Sequence, residues 1–171
     1  MNEVRWVAVS GSWRFSSPEL VRDVDREVHA VLNRGAGIVT GGALGVDFQA
    51  TDIALSFAPD GSRLKVILPT ALEIYADHYR MRAEEGVITS EQAEALVDQL
   101  HRVQAVGSLV TMNAKVVNQD TYYARNTEVI KAGDEMLAFQ VNESAGAGHA
   151  VDEFRSLKGV ESVVFTYTVE T

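Results

Sequence analysis

The stretch IVTGGALGVD, Ile38 to Asp47, decides how the rest of the chain is read. A short β-branched run ends at Thr40, and Gly41, Gly42 and Gly45 follow directly after it. β-Branched residues favour a buried strand, and a glycine cluster behind one marks a sharp turn. Asp47 then falls in the first turn of the next amphipathic segment, where a carboxylate complements the helix dipole. Strand, glycine turn and helix make the repeating unit of a parallel α/β sheet. Such a turn has two physical uses. It bends the chain, and without Cβ atoms it lets backbone N–H groups come close to an anion such as phosphate.

Working outward, the same alternation recurs. Val4–Ser10 reads as a strand closed by Gly11, and Ser16 or Ser17 with Pro18 opens a helix that ends at Asn33–Gly35. Gly37–Thr40 is the second strand, and the helix after it runs from Gly45 to about Phe57. Leu64–Leu68 is a third strand, with Pro69 as its stop. Helices are expected over Ile74–Glu85 and, capped by Ser90, over Glu91–Val106. Ser108–Met112 follows as a strand, Asn113–Thr121 as a loop and Tyr122–Ala132 as a helix. Glu135–Val141 is a buried strand, Asn142–Gly148 a loop, His149–Leu157 a helix and Ser162–Val169 a closing strand. The expected fold class is α/β: one doubly wound, mostly parallel sheet with helices on both faces, forming a single Rossmann-like domain over residues 1–171.

The totals narrow the function. No run of apolar residues is long enough for a membrane span, and MNEVRWVAVSG has no signal-peptide pattern. The absence of cysteine removes disulfides and thiolate chemistry and fits a cytoplasmic location. No HExxH pattern or carboxylate–histidine cluster occurs, so neither a metal nor another cofactor is expected. The net charge of −9 disfavours nucleic acid as a partner unless basic residues cluster locally, but it leaves a small nucleotide open.

Ligands of doubly wound sheets sit beyond the carboxyl ends of the strands. Three strand-to-helix turns should meet there: Ser10–Arg14, Gly41–Gly45 and Ser144–Gly148. They nominate Gly11, Ser12 and Arg14, then Gly41, Gly42, Ala43, Gly45 and Asp47, then Gly146, Ala147, Gly148 and His149 as ligand or phosphate contacts. On this reading a valine at Gly42 abolishes ligand binding. Ordinary turn geometry explains each glycine equally well when it is taken alone. None of the turns matches the P-loop or the GxGxxG pattern.

SGSWRF, TGGALGVDFQATDIAL and YYARNTEVIKAGDEMLAFQVNESAGAGHAVDEF together resemble the SLOG superfamily of Rossmann-like proteins, with residues 75–120 the least covered. In the DprA/Smf branch the similar segment is S-G-x-A-x-G-I-D-x-x-A-H-x-x-A-L, matched by Gly42, Gly45, Asp47, Ala50, Ala54 and Leu55 but not by Gln49 or Thr51. In the lonely-guy (LOG) branch an arginine on a helix precedes a strand and P-G-G-x-G-T-x-x-E. There Arg125, Gly146, Gly148 and Asp152 fall in register, while Ser144, Ala145 and His149 depart.

The resemblance implies a nucleotide or nucleotide derivative held at the glycine turns by a sensor or carrier. It leaves open a nucleoside 5′-monophosphate phosphoribohydrolase, in which Arg125 would grip phosphate or ribose and Asp152 or Glu153 would stabilise the oxocarbenium-like transition state. It also leaves open DprA-like binding of single-stranded DNA. Trp13, Tyr122 and Tyr123 are aromatic candidates for a base contact or for packing. Homo-oligomers are common among such relatives, so self-association is a further expectation of the resemblance.

Overall fold

Successive side chains split each strand between two faces of one sheet. In β1 (Trp6–Gly11), Val7 and Val9 enter the larger core while Ala8 faces the opposite layer. β2 (Gly37–Thr40) divides Ile38 from Val39, and β3 (Leu64–Thr70) divides Val66 from Ile67, in the same way. A sheet apolar on both faces needs helices on both. The computed structural model describes residues 3–142, 145–158 and 163–168, with only the backbone path given for 145–149.

α1 (Pro18–Asn33), α2 (Val46–Phe57) and α4 (Ser90–Ala105) contribute Val24, Ala50 and Leu96 to the larger core, as α3 (Leu72–Glu84) does with Tyr75. The chain then runs through β4 (Leu109–Ala114), α5 (Gln119–Ala132), β5 (Glu135–Val141), α6 (Ala145–Lys158) and β6 (Val163–Tyr167). α5 places Val129 against Ala8, and α6 places Ala150 and Phe154 against Met136 and Ala138. The six strands are all parallel, in the order β4-β3-β2-β1-β5-β6. The first three crossovers carry the chain outward from β1 to the β4 edge. α5 then carries it back to β5 on the far side of β1. The winding direction therefore reverses between β1 and β5, the position where an open α/β sheet leaves a crevice. The expected fold class holds. Among the described residues, no helix is long and apolar enough to cross a membrane.

Local chemistry explains where the elements differ from the expected boundaries. Ser17 caps α1 by accepting from the Leu20 N–H, with Pro18 in the first turn. α4 is capped by Thr89, not Ser90: Thr89 Oγ1 accepts from the Gln92 N–H, and Gln92 Oε1 accepts from the Thr89 N–H. β3 continues through Pro69 to Thr70, and its register against β4 shifts between Leu68 and Thr70, an irregularity that accommodates a residue without an N–H. The largest difference is at α6. The helix starts at Ala145, so Gly146, Ala147, Gly148 and His149 lie in its first turns instead of in a loop before it.

The turn between β2 and α2 shows what its glycines are for. Gly42 has φ +69°, and a Cβ there would come within 2.5 Å of Leu68 Cδ2 and 3.1 Å of Val66 Cγ1, inside the core. Gly45 has φ +73°, and a Cβ there would collide with the Ser12 carbonyl oxygen. The expectation that a valine at Gly42 acts through a ligand is therefore corrected, because that position faces the apolar core. Gly42→Val and Gly45→Ala should each lower the unfolding free energy by about 1–3 kcal/mol or more, since strained backbone adds to overpacking. Urea unfolding checks this, and an unchanged midpoint in either variant would contradict it.

Candidate functional site

Polar groups from three helices hold the Gly41–Ala43 turn in place. Asp47 of α2 accepts from the Gly41 N–H at 3.1 Å and from the Ala43 N–H at 3.3 Å. Arg125 of α5 donates through Nη1 to the Gly41 carbonyl. Tyr75 of α3 donates to the Gly42 carbonyl at 3.0 Å. The neighbouring loop is tied in as well, since the Val46 N–H donates to the Ser12 carbonyl at 3.0 Å. Ser12 Oγ closes its own loop by accepting from the N–H groups of Arg14 and Phe15 at 3.2 and 2.9 Å. The amides of Gly41 and Ala43 are thus satisfied within the protein. The expectation that this turn aims them at a phosphate is corrected to that extent.

Asp47 and Arg125 are both buried and of opposite charge. Burial pushes the Asp47 carboxyl above its ordinary 3.8, against the opposing pull of Arg125 and the two amides. Burial works against the Arg125 charge, but Tyr75, Asp47 and Tyr79 outweigh it and hold the guanidinium above its usual value. Arg125 Nε also donates to Asn126 Oδ1 at 3.0 Å, and its guanidinium lies 5.3 Å from the centre of the Tyr122 ring.

Above this clamp, at the carboxyl ends of β1 and β2, lies a cavity of about 800 Å³. The loop after β1 supplies Gly11, Ser12, Trp13 and Arg14 to its wall, and the β2 turn supplies Gly41, Ala43 and Asp47. α5 lends Tyr122, Tyr123, Arg125 and Asn126. α3 adds His78, Tyr79 and Arg82, and Val87 and Ile88 follow it. Among the described residues the charged members of the lining are three arginines, Arg14, Arg82 and Arg125, against one carboxylate, Asp47, with Arg82 also paired to Glu85 at 3.0 Å. A chain of net charge −9 thus places a local excess of positive charge around this space. Trp13, 42% exposed, stands in the same wall.

The nominated residues fall into distinct groups. Gly11, Ser12, Arg14, Gly41, Ala43, Asp47 and Arg125 all reach the cavity. Gly42 points its missing side chain into the core, and Gly45 is where the first two loops touch. Ala150 of α6 lines the cavity, but Asp152 and Glu153 do not. Asp152 is exposed, and Glu153 accepts a hydrogen bond from Thr127 Oγ1 on α5. Ser144 and the side chains of Gly146, Ala147, Gly148 and His149 lie outside the described residues. Sequence reading missed His78, Tyr79, Arg82, Val87 and Ile88. His78 and Arg82 stand one helical turn apart, a spacing that puts both on one face. Their helix follows β3 at the same rim as the glycine turns, and that signal was available.

The chain matches no protein-family model and no curated protein. Solved structures similar in fold include two of DNA processing protein A. One is DNA processing protein A from Helicobacter pylori, described in a study of its single-stranded DNA binding mode, with TM-score 0.65 and 18% identity over 95% of this chain and 64% of that one. The other is DNA processing protein A (DprA) from Streptococcus pneumoniae, with TM-score 0.53 and 17% identity over 96% of this chain and 59% of that one. The chain spans less than two thirds of either protein. The fold is Rossmann-like and DprA-like. The expectation that the acidic total sets nucleic acid aside is overturned, because this fold serves a single-stranded DNA binder in the Helicobacter pylori protein. Local charge at the rim, not the sum over the chain, is the relevant quantity.

The clamp can be tested apart from any ligand. Arg125→Ala leaves the buried Asp47 without its opposing charge and the Gly41 carbonyl without its donor. A loss of on the order of 3 kcal/mol in unfolding free energy is expected, and a loss below about 1 kcal/mol would contradict the clamp. The pH dependence has a fixed sign. With a folded pKa raised above 3.8, the Asp47 contribution is full below 3.8 and is lost as pH rises through the folded value. The stability margin of the wild type over Asp47→Asn should therefore narrow as pH rises in urea titrations.

Proposed function

We propose that this chain binds single-stranded nucleic acid, with the strand's phosphates at the arginine-lined mouth of the rim cavity. One observation carries the reading: among the described residues the cavity lining holds Arg14, Arg82 and Arg125 against one carboxylate, Asp47, in a chain whose overall charge is −9. Arg125 is committed to Gly41 and Asn126. Arg14 is thus the side chain that meets phosphate first, Arg82 can do so by exchanging its 3.0 Å ion pair with Glu85, and Trp13 offers the ring on which a base stacks. The likeness in fold to DNA processing protein A supports this reading over a dedicated nucleotide sensor, and it accords with membership of the SLOG superfamily.

A free nucleotide is the second reading, and one observation favours it. The cavity, at about 800 Å³, falls within the roughly 300–1,000 Å³ typical of small-molecule pockets. Neither reading includes a catalytic step.

Fluorescence titration with oligothymidylates of increasing length and with thymidine monophosphate, at several salt concentrations, separates the two. Strand binding predicts affinity that grows with length and falls with salt. It also predicts a loss of about 1–3 kcal/mol in Trp13→Ala, by removal of one base stack, and a flatter salt slope in Arg14→Ala. Equal affinity for the monophosphate and the oligomers would favour the free nucleotide. No salt-dependent binding of any oligomer would end the nucleic-acid reading.

A further inference from the structure

The α3 end of the cavity differs in chemistry from its mouth. His78 and Tyr79 come from α3 and Tyr122 from α5. The His78 ring lies 5.6 Å from that of Tyr79 at 86° and 6.3 Å from that of Tyr122 at 67°. These are edge contacts, so no ring in the group is stacked flat on another. Val87 and Ile88 supply apolar wall beside them. The Arg125 guanidinium lies over the Tyr122 ring, 5.3 Å from its centre.

Two further facts narrow the occupant. Burial, with the Arg82 charge adding to it, pulls His78 below its ordinary 6.5, so the ring is neutral at neutral pH and offers one N–H donor and one acceptor nitrogen. Asp47, the one carboxylate of the lining among the described residues, is bonded to the Gly41 and Ala43 amides. Glu85, the carboxylate near His78, is paired with Arg82 at 3.0 Å, so a cationic side chain entering this end would have to compete with that arginine for its counter-charge. A neutral planar ring with donors and acceptors on its edge finds aromatic walls and an imidazole that can pair with that edge.

We propose that this end of the cavity is a nucleobase subsite, in which one base lodges against Tyr122 and His78 hydrogen-bonds its edge. The proposal rests on the nucleic-acid reading and adds to it which part of the strand enters and which residues receive it. A base held in this way has left the stack, which favours single strands over duplex. Arg82, one turn along α3 from His78, stands where the sugar–phosphate of that nucleotide would leave the subsite.

The test compares an oligothymidylate with an abasic oligomer of the same phosphate count, on the full chain and on His78→Leu and His78→Gln. His78→Leu should weaken the base-bearing strand about tenfold and the abasic strand by less than about twofold, with an unchanged melting temperature. His78→Gln, which keeps a donor and an acceptor, should recover part of the loss. Equal loss on both oligomers, or none on either, would overturn the subsite. A second arm uses thymidine and adenosine, which carry no phosphate, and follows the His78 ring resonances by NMR. Nucleosides that shift those resonances while no oligomer binds would end the nucleic-acid reading and leave the subsite standing. Oligomer binding with the His78 ring unmoved by nucleosides and His78→Leu neutral would end the subsite alone. Silence in both arms would end both.

Discussion

The backbone of Gly41 is gripped at both its N–H and its carbonyl by buried charges, and the rim of the sheet is organised around that grip. Asp47 takes its N–H and Arg125 takes up its carbonyl. One charge comes from the helix that leaves the turn and the other from a helix on the opposite face of the sheet. The turn that ends β2 therefore registers α2 against α5, and Tyr75 adds α3 through the Gly42 carbonyl. A Cβ at Gly41 would fall 2.5 Å from Arg125 Cζ, so the grip also requires glycine at that position. Buried charges are costly to desolvate, and each is tolerable here because the other and the turn's own dipoles surround it.

This arrangement changes what the glycines mean. The turn resembles a phosphate cradle in sequence, yet its amides at Gly41 and Ala43 serve an internal carboxylate. Its contribution to a ligand is indirect. It fixes Arg125, which lies over the Tyr122 ring, and it holds the loop carrying Trp13 and Arg14 through Ser12 and Val46. The accessible groups at the mouth are then Arg14, the indole of Trp13 and Arg82, the last paired with Glu85. Within about a Debye length the local field outweighs the sum of distant acidic residues, which explains how an acidic chain can present a site suited to an anion.

Much of the fold could be read in advance, because its strands are short, largely apolar runs that turn residues interrupt. IVTGGALGVD alone implied a parallel α/β unit, and the remaining strands repeat it. The errors have physical reasons. Gly146 and Gly148 argued against a helix on propensity, but α6 packs Ala150, Val151 and Phe154 into a core cluster, and tertiary burial overrides a weak local preference. Pro69 looked like a stop because a strand interior needs its N–H groups, and the register shift beside it removes that need. At the site, Arg125 and Asp47 were found by pattern, but their partner was not. Sequence spacing cannot tell a carboxylate that faces a ligand from one that folds back on its own turn. His78 and Arg82 were missed because their segment carries no glycine signature, although their one-turn spacing on the helix after β3 placed them at the same rim.

The central claim is that a ligand occupies the space above the Gly41 clamp, between the β1 loop, α3 and α5. Backbone amide NMR during titration with a short oligothymidylate tests it most directly. The account predicts shifts concentrated in Ser10–Phe15, His78–Ile88 and Asn118–Asn126, with the amino-terminal ends of the strands unaffected. Shifts gathered instead around Asp60–Lys65 and Val106–Val110, at that opposite end, would contradict it.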